Sequence, residues 1–169
     1  MNVFVSGSRA ISEFDDNIAD ALFDELNSNA RILVGDADGV DAELQRFCAA
    51  QQYRNVTVFA SNGKARNNVG NFKVQNVPVD KGTYYKTFFT QKDIVMTDTA
   101  DYGVVIWDGK SKGSLNNIYR LIKQNKPCFV YLITVKKWFT IETESAAKNI
   151  IIPDAGTLHQ AGYGQLSFV

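Results

Sequence analysis

The stretch Asp101-Tyr-Gly-Val-Val-Ile-Trp-Asp-Gly-Lys-Ser-Lys-Gly-Ser114 decides the fold. Its apolar run, Val104 to Trp107, reads as a strand. The run breaks at Asp108 into Gly109, Lys110, Ser111, Lys112, Gly113 and Ser114. A helical pattern follows, with Leu115, Ile118, Tyr119 and Ile122 on one face, Ser114 as the expected cap and Pro127 beyond the end. Strand, glycine-bearing loop and helix N-terminus is the order that aims free backbone N–H groups at an anion. A plain strand-to-helix turn has the same outline.

Working outward, the same alternation recurs. Val3-Phe4-Val5 reads as a strand ending in Ser6-Gly7-Ser8-Arg9, followed by a helix over 15–28. Ile32-Leu33-Val34 is a second strand, ending in Gly35-Asp36-Ala37-Asp38-Gly39. Val40, Leu44, Phe47 and Cys48 then recur at helical spacing. Val56 to Phe59 is a third strand. Residues 61–83 read as a long loop, with an irregular strand at Lys73 to Val77. A helix is expected from Tyr84 to Thr99, its inward stripe set by Phe89, Met96 and Ala100. Cys128 to Ile133 is a further strand. Continuous apolar strands alternating with helices predict a Rossmann-like, doubly wound, mainly parallel sheet of about five or more strands with helices on both faces. One domain over 1–169 is expected, with 134–169 as a weakly patterned extension in which Lys136 to Lys148 holds a short strand or a helix.

Formal net charge is zero, which argues against general nucleic-acid or membrane binding. No run approaches a membrane span. Two cysteines, Cys48 and Cys128, sit among apolar neighbours and read as buried thiols, which with the absence of a signal-peptide pattern points to the cytoplasm. The single histidine, His159, lies in the loosely patterned tail, so neither a His-based nucleophile system nor a zinc site is expected, and no motif calls for a metal or cofactor.

In an open parallel sheet, ligands bind beyond the carboxyl ends of the strands. Three glycine-bearing loops should meet there. Their candidate ligand-binding residues are Gly7, Ser8 and Arg9; Gly35, Asp36, Asp38 and Gly39; and Asp108, Gly109, Lys110, Ser111, Lys112, Gly113 and Ser114. Arg9 offers a fork for phosphate. Asp36 or Asp38 suits ribose hydroxyls, while Asp38 or Asp41 suits the cap of the second helix. A calcium loop is disfavoured, because Phe47 stands near where a closing acidic ligand belongs. Lys92 and Asp93 fall on or beside the apolar stripe of their helix, either as a surface pair or facing the site. Trp107 suits base stacking or the core equally. Arg66-Asn67-Asn68 either closes over a ligand or forms turns. Neither Gly-x-Gly-x-x-Gly nor the Gly-Lys-Ser/Thr ending of an ATPase loop is present.

Three segments carry a family resemblance: Val5-Ser-Gly-Ser-Arg9, Val34-Gly-Asp-Ala-Asp-Gly-Val-Asp41 and Ala100 to Ser114. Over residues 1–133 the chain resembles the SLOG superfamily, which includes the LOG phosphoribohydrolases and DprA, and within it the YspA-like branch. The resemblance implies nucleotide-derived ligands at the strand ends, and often homodimers or higher homo-oligomers. LOG enzymes carry Pro-Gly-Gly-x-Gly-Thr-x-x-Glu, with the Glu catalytic. Here Gly113 and Ser114 align with Gly-Thr, which leaves Asn117 at the Glu position. An amide is no general base. N-glycosidic cleavage, the alternative to pure binding, would need another carboxylate: Asp93, Asp36 or Asp108. A non-catalytic interaction module is the third expectation.

Overall fold

The computed structural model describes residues 1–151 except Lys81, with backbone alone for Tyr85, Lys86 and 148–151. The chain runs β1 (Asn2–Gly7), α1 (Asp16–Asn27), β2 (Arg31–Val34), α2 (Val40–Ala50), β3 (Val56–Ser61), β4 (Lys73–Val77), α3 (Tyr85–Thr99), β5 (Tyr102–Trp107), α4 (Lys112–Lys123), β6 (Cys128–Leu132), β7 (Lys137–Ile141) and α5 (Glu144–Ile151). The sheet has seven strands in the order β4-β3-β2-β1-β5-β6-β7. All neighbours pair in parallel except β6 and β7, which are antiparallel, with Val130 opposite Phe139.

Alternation along each strand splits the apolar residues between two cores. Val3, Val5, Ile32, Val34, Val104 and Ile106 pack with Ile18 and Leu22 of α1 and Val40 and Leu44 of α2. Phe4, Leu33, Val105 and Trp107 pack with Met96 of α3, Leu115, Ile118 and Leu121 of α4 and Ala147 of α5. The two sets come from alternate positions of the same strands; residues of α1 and α2 pack with the first and residues of α3, α4 and α5 with the second. Cys48 lies in one core and Cys128 in the other, both buried and free. Burial pushes the Cys48 thiol up to about 12 and Cys128 upward as well.

The weak patterning beyond Thr134 conceals two elements. β7 borders β6, and Trp138 packs on Tyr131 with ring centroids 5.0 Å apart. Residues 152–169, with His159, lie outside the described part. The long loop also has more order than its composition suggests. β4 falls where an irregular strand was expected, and Asn68 clips Phe72 by accepting from its N–H at 2.8 Å and donating to its carbonyl at 2.9 Å. Arg54 stacks on the Phe72 ring and donates to the Gly70 and Asn71 carbonyls.

The chain has two tryptophans, Trp107 and Trp138, and they sit on opposite faces of the sheet. If β7 belongs to the same cooperative unit as β5, the single-tryptophan variants Trp107→Phe and Trp138→Phe each unfold in urea with coincident fluorescence and far-UV dichroism midpoints. A separate, earlier Trp138 transition would make the β7 edge an independent unit.

Candidate functional site

The strand order reverses direction between β1 and β5, because β2 follows on one side and β6 on the other. The loops leaving these two strands diverge, and a crevice opens at their carboxyl ends. It holds a cavity of about 730 Å³. Its walls come from the end of β1 and the loop after it (Ser6, Gly7, Ser8, Arg9), from Asp41 of α2, from Phe89, Thr90, Lys92, Asp93 and Met96 of α3, and from Asp108, Lys110 to Ser114, Asn116 and Asn117 across the start of α4.

Of the sequence-derived candidates, Gly7, Ser8, Arg9, Asp108, Lys110, Ser111, Lys112, Gly113 and Ser114 line this cavity. Gly109 sits behind the rim, and Gly35, Asp36, Asp38 and Gly39 are not in its wall. Asp36 is buried and fully engaged. It accepts from the Arg66 backbone N–H at 2.9 Å and from the Arg66 guanidinium at 2.7 Å. Burial pushes its carboxyl up, but these bonds and the Arg66 charge outweigh it and hold the group below the usual carboxylate range. Asp38 is exposed and accepts from Asn67. Asn67 also donates to the Asp36 carbonyl, and the Arg66 guanidinium lies 3.9 Å from the centre of the Phe89 ring. Arg66 and Asn67 thus staple the loop after β3 to the loop after β2.

Two helix caps differ from expectation. Neither Asp38 nor Asp41 caps α2. Gly39 takes that position with φ +79, and no side chain bonds the first turn. Asp41 turns back instead and accepts from the Ala37 N–H at 3.1 Å. The α4 cap is Ser111, whose hydroxyl accepts from the Ser114 N–H at 3.3 Å, so Lys112, Gly113 and Ser114 form the first helical turn. The reason is Asp108. Its Oδ1 accepts from Lys110 and Ser111 N–H, both at 2.9 Å, and closes the turn one residue after Gly109. Burial pushes Asp108 up, yet these backbone N–H groups and Ser8 win and hold it low. Only Lys112 and Gly113 of this first turn keep N–H groups without an acceptor among the described residues. Trp107 is core: it is 1% exposed, and its indole N–H donates to the Ser111 carbonyl.

The floor of the cavity carries a polar cluster. Lys92 is 4% exposed, far more buried than a surface pair requires. Its ammonium donates to Asp93 Oδ1 at 3.0 Å. Burial alone would depress the Lys92 pKa, but Asp93 and Asp41 beside it raise it. Asn117 is pinned. Arg120 donates to its oxygen at 2.7 Å, which turns its amide nitrogen toward Ser6 Oγ at 3.2 Å and Asp93 Oδ2 at 3.4 Å. Of the expected α3 stripe, Phe89 and Met96 line the cavity, and Met96 and Ala100 also belong to the core.

Sequence reasoning assigned Asp41 no role beyond capping and gave Ser6 none. Asp41 is the larger omission. Burial pushes its carboxyl up to about 6, opposed by Lys92 and reinforced by Asp93. The signal was its place in the loop pattern Gly35 to Asp41, three residues beyond Asp38, but only packing against α3 reveals which way it turns. Comparison of the chain with family models, curated proteins and solved structures finds no match in any of them.

Asp41 is protonated more readily folded than unfolded, so its contribution to stability is present at low pH and is lost as pH rises through about 6. Asp41→Asn removes that loss. Measured by urea unfolding, the stability of Asp41→Asn relative to the parent should rise by about 2–3 kcal/mol between pH 4 and pH 7.5. A flat difference across that range would contradict the raised value.

Proposed function

We propose that the protein binds a nucleotide or nucleotide-derived small molecule in the crevice between the carboxyl ends of β1 and β5. The carrying observation is the cavity of about 730 Å³ at this reversal of strand order. Its size suits a small-molecule site. Its rim bears Arg9, Lys110 and Lys112, exposed and without a carboxylate partner among the described residues. These cations, with the Lys112 and Gly113 N–H groups, suit the phosphate. Kinship with the YspA-like branch of the SLOG superfamily belongs to the same proposal and rests on the three loop segments.

A second reading, an N-glycosidic bond hydrolase, is favoured by one observation: Asp41 and Asp93 both face the cavity. Asp93 is the better placed of the three carboxylates picked from sequence, since Asp36 is locked by Arg66 and Asp108 by its own turn. Release of free base followed by chromatography, abolished in Asp93→Asn, is the expected result on this reading. No release by the parent across the nucleoside monophosphates leaves binding alone.

Binding itself is read by thermal shift. A nucleoside phosphate at about 100 times its dissociation constant should stabilise the fold by about 2.7 kcal/mol. Arg9→Ala removes a charge-assisted bond worth roughly 1.5–3 kcal/mol. Gly113→Val sets a branched side chain into open space, since a Cβ there meets only Ser111 Oγ at 4.0 Å. Both variants should fold normally and bind at least tenfold more weakly. The absence of any shift with mono-, di- and triphosphates, cyclic dinucleotides and ADP-ribose would refute the reading.

A further inference from the structure

Lys92 and Asp41 bring unused hydrogen-bonding capacity to the cavity floor. The Lys92 ammonium donates one N–H to Asp93 Oδ1, and its other two N–H groups have no acceptor among the described residues. Asp41 is 8% exposed; its Oδ2 accepts from Ala37, while its Oδ1 receives no donor among the described residues. Neither side chain is sealed in the core, because both line the cavity. Gly35 keeps them together. A Cβ at Gly35 would stand 2.4 Å from Asp41 Oδ2 and 3.0 Å from Lys92 Nζ, so any side chain there forces the pair apart.

The chemistry that fits this floor is narrow. A phosphate would be repelled by Asp41 and Asp93, and an ammonium has no acceptor to offer the remaining Lys92 N–H groups. An apolar group would leave buried donors and an acceptor unpaired. A hydroxyl both donates and accepts. Two adjacent hydroxyls can each give a proton to a carboxylate and receive a Lys92 N–H on oxygen. We propose that Asp41, Lys92 and Asp93 form the subsite for a vicinal diol on the sugar of the ligand, with the phosphate directed to Arg9, Lys110 and Lys112. This inference rests on the nucleotide-binding reading above, and it moves the sugar contact from Asp36 and Asp38 to the floor of the crevice.

The charges facing Asp41 are Lys92 and Asp93 from α3 and Asp36 from the loop after β2, and Arg120 of α4 faces Asp93. Ionised Asp41 is the stronger acceptor. Preference for the diol should therefore grow as pH rises through about 6.

The experiment is calorimetric titration of the full chain with the four ribonucleoside 5′-monophosphates, their 2′-deoxy forms, ribose 5-phosphate and 2-deoxyribose 5-phosphate, at pH 5 and pH 7.5. The parent should prefer the ribo form of the best ligand at least tenfold at pH 7.5, and less at pH 5. In Asp41→Asn, an isosteric change, the preference should shrink to about twofold and lose its pH dependence, with the 2′-deoxy compound bound nearly as by the parent. Lys92→Met should do the same, and if it fails to fold, Asp41→Asn and Asp93→Asn decide. Equal binding of ribo and 2′-deoxy forms by the parent would overturn the diol subsite alone. A preference that survives in both Asp41→Asn and Asp93→Asn would put the diol elsewhere and overturn it too. No binding of any compound would overturn the nucleotide reading, and the subsite with it.

Discussion

A lysine ammonium buried beside the strand ends must be neutralised where it stands, and much of this site follows from that requirement. Lys92 projects from α3 toward the ends of β1 and β2, where water cannot reach most of it. An unpaired ammonium there would cost several kcal/mol. Asp93, next to it on the same helix, supplies the direct contact, and Asp41 of α2 supplies a second negative charge. Two carboxylates near one ammonium is one too many for full ionisation. Burial is the main reason the Asp41 carboxyl is raised; Lys92 opposes the rise, and the Asp93 charge adds to it. Gly35 is small for the same reason, since the space a side chain would fill is taken by Asp41 and Lys92.

The architecture was legible because it rests on short-range patterns. Apolar runs such as Val3 to Val5 and Val104 to Trp107 have the length of strands, and glycine or polar breaks bound them. Asp15 capping α1 through the Ile18 N–H is a local event that its place ahead of the apolar spacing announces. β4 was legible at its observed limits. β7 and α5 were not. β7 is an edge strand whose Lys137 and Thr140 face water, so it lacks the continuous apolar run that identified the others.

The site was legible only as a location. Three loops were expected to converge, and two of them, after β1 and β5, do line the cavity. The loop after β2 instead contributes through Ala37 and through Asp41 beyond it, while Asp36 turns to Arg66. That choice depends on a residue thirty positions away in sequence, and no local rule could make it. The caps failed for a related reason. Ser111 and Ser114 are both plausible caps, spaced one turn apart, and Asp108 settles the matter by closing its turn early. Asp38 and Asp41 have equally good capping chemistry. The helix forgoes a side-chain cap because Asp41 bonds Ala37 beside Lys92 instead.

The same self-satisfaction limits what the loop after β5 can offer an anion. Its composition suggested a cradle of N–H groups from 109 to 114. Lys110 and Ser111 give theirs to the chain's own Asp108, and Ser114 gives its to Ser111. A carboxylate already occupies the position where a nest would hold a phosphate. What remains for an incoming anion is the pair of first-turn N–H groups at Lys112 and Gly113, and the side chains of Lys110, Lys112 and Arg9 at the rim. Anion affinity at such a site is carried by mobile, solvated cations rather than by a rigid backbone cradle, so it falls with salt and discriminates poorly among phosphates. Selectivity must then come from the rigid part of the crevice. In this fold that part is the buried floor, where Asn117 is pinned by Arg120, Asp93 is held between Asn117 and Lys92, and Asp41 is anchored by Ala37.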